Sequence, residues 1–80
     1  MFLSPGGQVE KLFNELVDHQ RKKLLALAQK IIPTLTEDDI LQPNDFPALE
    51  NNPLFRYEEG ILEGILTARM AYLSHYKSNN

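Results

Sequence analysis

The chain has 80 residues, a net charge of −3 and no cysteine, and its isoelectric point is near 5.2. A single domain of this length, 1–80, buries only about 60–65% of the surface that it exposes when unfolded. The absence of cysteine excludes disulfides and thiolate zinc sites, and the acidic balance argues against nucleic acid as a partner. Small domains without such links often gain stability by self-association, which is what we expect here.

The start of the sequence lacks the features of an export signal. Met1-Phe2-Leu3 is followed at once by Ser4-Pro5-Gly6-Gly7, so the basic start and the apolar run of a signal peptide are both missing. No apolar stretch approaches the roughly 18 residues that indicate a membrane-spanning helix. We therefore expect a cytoplasmic protein that does not contact a membrane.

The first predicted helix begins between Pro5 and Gln8, covers about residues 8–32 and follows an N-terminal arm at 1–6. It ends there because Pro33 disfavours helix in the residue before it. Residues 33–52 are predicted to form a structured connection with one or two short helices, the first capped by Thr36. The apolar residues of the first helix fall on one stripe at helical spacing: Val9, Phe13, Leu16, Val17, Leu24, Leu27, Ala28 and Ile31.

The second long helix has a clear start, because Asn52 is a good N-cap and Pro53 suits the first helical position. It is predicted to run over about 53–76, before a frayed tail at 77–80. Two long helices joined by a short connection form an antiparallel hairpin, so the fold class is all-α. Two helices cannot enclose a core, and we expect the hairpin to dimerise into a four-helix-type bundle.

Small residues form a separate face on the second long helix, beginning about 60–80° from its large apolar residues at about 100° per residue. A glycine inside a helix costs about 1 kcal/mol relative to alanine, so Gly60 and Gly64 need a reason, and close approach of another backbone is the usual one. Either a second copy packs on this face, or the first helix does and the large residues meet the second copy. The predicted interface residues are Gly60, Gly64, Thr67, Ala68 and Ala71.

Three polar residues fall on otherwise apolar stripes: Gln20 on the first helix, and Glu58 and Arg69 on the second. Burial without a partner would cost about 1–3 kcal/mol for an amide and more for a charge. We expect these three residues to form a buried polar seam that finds partners and fixes the register of the helices. Lining of a ligand-binding crevice is the alternative.

The sequence offers no arrangement typical of catalysis or metal binding. The pairs Glu15–His19 and Glu59–Glu63 are spaced four apart, whereas di-iron bundles use Glu-x-x-His at three. Ser4, Ser74 and Ser78 have no arrangement of base and oxyanion-stabilising groups around them in sequence, and no phosphate-binding loop is present. We expect no catalytic residues, no metal site and no cofactor, and the chain is not predicted to be an enzyme.

An acidic segment with aromatic residues, Phe46–Glu59, could contact another protein, but aromatic residues in such a place more often close the end of the hairpin. The sequence therefore predicts a non-enzymatic interaction, regulatory or assembly protein that acts as a homodimer. The alternative is a helical bundle that binds a small molecule or a metal through the polar seam.

Overall fold

The computed structural model describes residues 5–78. The outer parts of the expected N-terminal arm and C-terminal tail, residues 1–4 and 79–80, lie outside this range. Side chains are described between these limits with five exceptions: Pro5, Gly6, Asn44, Lys77 and Ser78.

Helices account for all the regular structure in residues 5–78. Helix α1 spans Pro5–Ile31, the four-residue helix α2 spans Pro47–Glu50, and α3 spans Pro53–Ser78. Two 3₁₀ turns, Asp39–Leu41 and Pro43–Asp45, precede α2. The connection thus contains three short helical pieces rather than the expected one or two.

The two long helices pack against each other in antiparallel orientation. Phe13, near the start of α1, contacts Tyr72 near the end of α3, with ring centroids 5.9 Å apart. Farther along α1, Gln20 hydrogen-bonds Glu58 near the start of α3. The expected hairpin of an all-α domain is therefore present in the structure.

The long helices begin and end close to the limits expected from sequence. Helix α1 begins at Pro5, at the early end of the expected range, because proline suits the first helical position, where its missing N–H is not needed. Helix α3 includes residues 77 and 78, which were expected in a frayed tail. At the other end of α1, the Ile32 N–H still donates to the Ala28 carbonyl at 2.8 Å before Pro33 breaks the helix.

Side-chain hydrogen bonds fix both ends of the connection. Thr36 and Asp39 cap each other, since the Thr36 N–H donates to Asp39 Oδ2 at 3.0 Å and the Asp39 N–H donates to Thr36 Oγ1 at 3.4 Å. Asn52 is confirmed as the N-cap of α3, because its Oδ1 accepts the Phe55 N–H at 2.9 Å. Gln29 also reaches from α1 to the carbonyl of Leu35. The Gln29 and Asn52 bonds hold the connection against the helix ends, whereas the Thr36–Asp39 pair lies within it.

The hydrophobic core lies at the end of the hairpin closed by the connection. There the connection supplies the third wall that two helices lack. Leu27, Ile31, Phe46 and Leu62 pack around this core and are only partly buried. Its buried members come from α1, the connection and α3 together: Leu24, Ala28, Leu35, Ile40, Leu49 and Phe55.

We expect Phe55→Ala to lower the free energy of unfolding by about 3–5 kcal/mol, because the ring is fully buried and its loss leaves a cavity. Tyr57→Ala is the matched control, since the Tyr57 side chain is 65% exposed, and its effect should stay within about 0.5 kcal/mol. Urea denaturation followed by circular dichroism measures both. Equal losses for the two variants would contradict this location of the core.

Candidate functional site

The structure brings together two of the three residues expected in the polar seam. Gln20 and Glu58 are both buried, and Gln20 Nε2 donates to Glu58 Oε1 at 2.8 Å and to the Glu58 backbone carbonyl at 2.9 Å. The second carboxylate oxygen, Oε2, lies 3.5 Å from Lys23 Nζ, on a side chain that is 56% exposed. The Gln20 amide thus bonds both the side chain and the backbone of Glu58 on the opposite helix. This pair of bonds fixes the register of α1 on α3.

Arg69 lies apart from that pair. Its Nη1 donates to Asn14 Oδ1 at 2.9 Å in an exposed hydrogen bond between α3 and α1. Arg69 follows Glu58 by three turns of helix, so it lies on the same side of α3 as Glu58. It is about 16 Å farther along the helix axis, at 1.5 Å per residue. The structure therefore shows one buried contact and one peripheral contact rather than a continuous seam.

The small-residue face (Gly60, Gly64, Thr67, Ala68 and Ala71) is exposed throughout in the single chain. A Cβ atom added at Gly60 or Gly64 would meet nothing within 4 Å. Helix α1 packs instead on the side of α3 that contains Phe55 and Glu58. Of the two arrangements considered from sequence, the one that places α1 over the glycines is therefore wrong.

Most large apolar side chains far from the connection remain accessible. We call this part of the hairpin, residues 7–16 and 67–76, the distal half; none of its residues is buried. Val17, at its edge, is buried. In the distal half, the Phe13–Tyr72 ring contact and the Arg69–Asn14 hydrogen bond join the two helices, and Tyr72 and Tyr76 stack within α3 with centroids 6.0 Å apart.

Exposed apolar residues of both helices lie on one side of the hairpin. A cleft of about 210 Å³ is lined by Lys23 and Leu27 of α1 and by Leu54 and Glu58 of α3. At about 100° per residue, Leu12 and Leu16 continue the α1 wall of this cleft toward the distal half. By the same periodicity, Ile61, Ile65 and Tyr72 continue its α3 wall, beside the small-residue face. Leu12, Leu16 and Leu54 are exposed, and Ile61, Ile65 and Tyr72 are half-buried.

A second apolar surface lies beside the connection and was not anticipated from the sequence. Leu24, Ile40, Leu41 and Leu62 line a cleft of about 290 Å³. The sequence signal was Leu41, a large apolar residue after the Thr36 cap, but its position depends on how residues 33–52 fold.

The aromatic residues of Phe46–Glu59 do not form a common surface. Phe55 is fully buried and Phe46 packs against the core, whereas Tyr57 is exposed. Phe55 and Phe46 thus close the end of the hairpin. Of the three acidic residues of the segment, Glu50 is exposed, Glu58 is buried, and half-buried Glu59 pairs with Arg56 at 3.0 Å.

The sequence predicts no metal site, and the structure shows where the possible ligand side chains lie. Among the described residues, no three His, Cys, Asp or Glu side chains come together in a group that could hold a metal ion. Glu15 and His19 are both exposed on α1. Neither long helix, over residues 5–78, combines the length and apolarity needed to cross a bilayer.

Comparison with known proteins gives no family assignment. The chain matches no protein-family model, and no curated protein or solved structure is significantly similar to it. The functional argument therefore depends on the geometry of the chain itself.

We expect Gln20→Leu to lower the free energy of unfolding by about 1–3 kcal/mol, because it leaves the buried Glu58 carboxylate without its amide donor. Lys23→Ala is the control within the same contact and should change it by less than about 1 kcal/mol, because the lysine is largely exposed. The double variant Gln20→Leu/Glu58→Leu should recover part of the loss. Urea titration of all three variants measures these effects. A double variant that is less stable than Gln20→Leu alone would contradict direct coupling.

We expect Arg69→Met to lower the free energy of unfolding by no more than about 1 kcal/mol, because the hydrogen bond to Asn14 is exposed and the methionine retains much of the stem volume. Asn14→Ala should have a similar effect, and the double variant should lose no more than either alone. A loss above about 3 kcal/mol for Arg69→Met would indicate a buried charge and contradict this location.

Proposed function

We propose that the protein is a non-enzymatic interaction or assembly protein that acts as a homodimer, in which two hairpins form a four-helix-type bundle. The observation that supports this proposal is the distal half, where two amphipathic helices meet without burying any of their own residues. Helix pairs of this kind are stable when another layer covers their apolar sides. A second copy would provide that layer by a self-complementary contact.

The small-residue face and the adjoining apolar stripe of α3 suit such a contact. The open space around Gly60 and Gly64 would let a second α3 approach closely, as small residues do at tight helix crossings. Ile61, Ile65 and Tyr72, which are half-buried in the single chain, would become buried beside that crossing. The proposed interface is therefore made of a close backbone contact flanked by large side chains.

The dimer should be present at micromolar concentration. Sedimentation equilibrium should give about twice the 9.2 kDa mass of the chain. The melting temperature should rise with protein concentration, because association stabilises the folded state by mass action. A single 9.2 kDa species up to about 100 µM, with a melting temperature independent of concentration, would rule the dimer out.

The substitution Ala71→Leu tests the proposed face directly. It adds bulk at an exposed position with little change in helix propensity, so the single chain should keep its stability. The dimer should weaken by about 1–3 kcal/mol, or roughly tenfold or more in its dissociation constant, because the close crossing becomes overpacked. Lys22→Leu, at an exposed site on α1, is the control and should leave the constant unchanged.

Replacing either glycine with alanine should have opposite effects on the isolated chain and on the dimer. Gly60→Ala and Gly64→Ala should each stabilise the isolated hairpin by up to about 1 kcal/mol, because helix propensity improves and the space is open. In the dimer the same methyl groups should weaken association. If both substitutions raise the melting temperature and the oligomer is unchanged, the small-residue face is simply solvent-exposed and the proposed interface is wrong.

Binding of a small molecule is a second candidate function, favoured by the 210 Å³ cleft next to the Gln20–Glu58 pair. Glu58 and Lys23 would supply its polar contacts, and Leu27 and Leu54 its apolar walls. Native mass spectrometry of the purified protein distinguishes the two candidates, since it detects the dimer mass and any retained ligand in one spectrum. A retained ligand on a monomer, lost in Glu58→Leu, would favour the second candidate.

A further inference from the structure

An elongated apolar groove runs along the side of the hairpin that the connection covers. Its floor is formed by Leu24, Ile40, Leu41 and Leu62 in the 290 Å³ cleft, and the same four residues continue into a cleft of about 390 Å³ that reaches Leu66. Leu41 is 68% exposed although it is surrounded by these apolar neighbours. The groove therefore presents large apolar side chains that the single chain does not cover.

The rim of the groove is predominantly acidic. Glu37 and Asp38 lie on the wall formed by the connection, and Glu63 lies on the wall formed by α3; all three are exposed. Arg56, on the α3 wall, is engaged by Glu59 at 3.0 Å. Arg21 is the remaining basic residue among those lining the two clefts. Carboxylates thus flank the apolar floor on two opposite sides.

We propose that this acidic groove binds a short amphipathic helix of another protein, with an apolar ridge that packs on the floor and Lys or Arg residues on both flanks. Helices commonly bind to grooves through apolar residues spaced at i, i+3 or i+4, and i+7. Basic residues on either side of such a ridge would face Glu37 and Asp38 on one wall and Glu63 on the other. Charge complementarity of this kind selects the partner and its orientation.

The dimensions of the groove fit one helix better than a second copy of the hairpin. Along α3 the groove extends from Arg56 to Leu66, about 15 Å at 1.5 Å per residue, which is close to three turns. The hairpin itself is 44 Å long, so most of a second copy would project beyond the groove. The groove also uses a different side of α3 from the small-residue face, so this inference is independent of the proposed homodimer.

The test measures binding of fluorescein-labelled synthetic helical peptides to the full chain by fluorescence anisotropy. The peptides share one apolar ridge of leucines and differ only in their flanks, which are Lys, Gln or Glu. The Lys peptide should bind at least about tenfold more tightly than the Glu peptide, and the difference should shrink as salt is raised. Backbone amide chemical-shift changes should concentrate at Leu41, Leu62 and Glu63.

Matched variants locate the binding on the groove. Leu41→Ala should weaken binding of the Lys peptide by about tenfold, whereas Tyr57→Ala, at another exposed apolar residue, should leave it unchanged. Glu63→Lys should weaken it by about threefold to tenfold, and Glu15→Lys, at an exposed site on α1, by less than twofold. Because Leu41 and Glu63 are exposed, both variants should remain folded.

Three outcomes would overturn the inference. The first is that no Lys peptide binds below about 100 µM, or that Lys and Glu peptides bind equally. The second is that binding is insensitive to both Leu41→Ala and Glu63→Lys. The third is that either groove variant dissociates a homodimer in sedimentation, since a second copy would then occupy the groove. A protein that is monomeric but still binds the Lys peptide at the groove would leave this inference standing while the proposed homodimer fails.

Discussion

Two packed helices leave part of their apolar surface uncovered, and the connection between α1 and α3 resolves this problem at only one end. Residues 33–52 place Leu35, Ile40 and Leu49 against both helices, and this is where nearly all the buried apolar side chains lie. The segment can do so because its ends are fixed by the Gln29 bond to the Leu35 carbonyl and by the Asn52 cap. Within residues 5–78 no comparable segment covers the distal half, where no residue is buried.

The Gln20–Glu58 contact marks the boundary between the closed end and the distal half. An unpaired amide or carboxylate there would lower stability, but the amide satisfies both the carboxylate and a backbone carbonyl of the opposite helix. An apolar pair could be as stable or more so, and would allow the helices to slide by a turn. The contact therefore explains register better than it explains stability, and register determines which side chains of α1 and α3 line each cleft.

The hairpin, the N-cap of α3 and the burial of Gln20 and Glu58 could be predicted because each follows from local sequence or from helical periodicity. Asn52-Pro53 fixes where α3 starts, and a polar residue on an apolar stripe indicates a buried partner. Arg69 was grouped with Glu58 because helical periodicity gives the angle of a residue but not its height relative to the other helix. The acidic groove could not be predicted, since it depends on where the connection places Leu41, Glu37 and Asp38 in three dimensions.

Helix α3 has three surfaces, and contacts within a single hairpin account for the residues on only some of them. The side that meets α1 is explained by burial of Phe55 and by the bond from Gln20. The side that faces the groove is explained in part by contact with the connection. Gly60 and Gly64 are explained by neither, because each costs about 1 kcal/mol of helix stability and, in the single chain, no neighbouring atom would obstruct a side chain there. In a domain with so small a core, two such costs are substantial relative to a typical stability of about 5–15 kcal/mol. Close approach of a second backbone would give both glycines a physical reason, and it would cover the distal half at the same time.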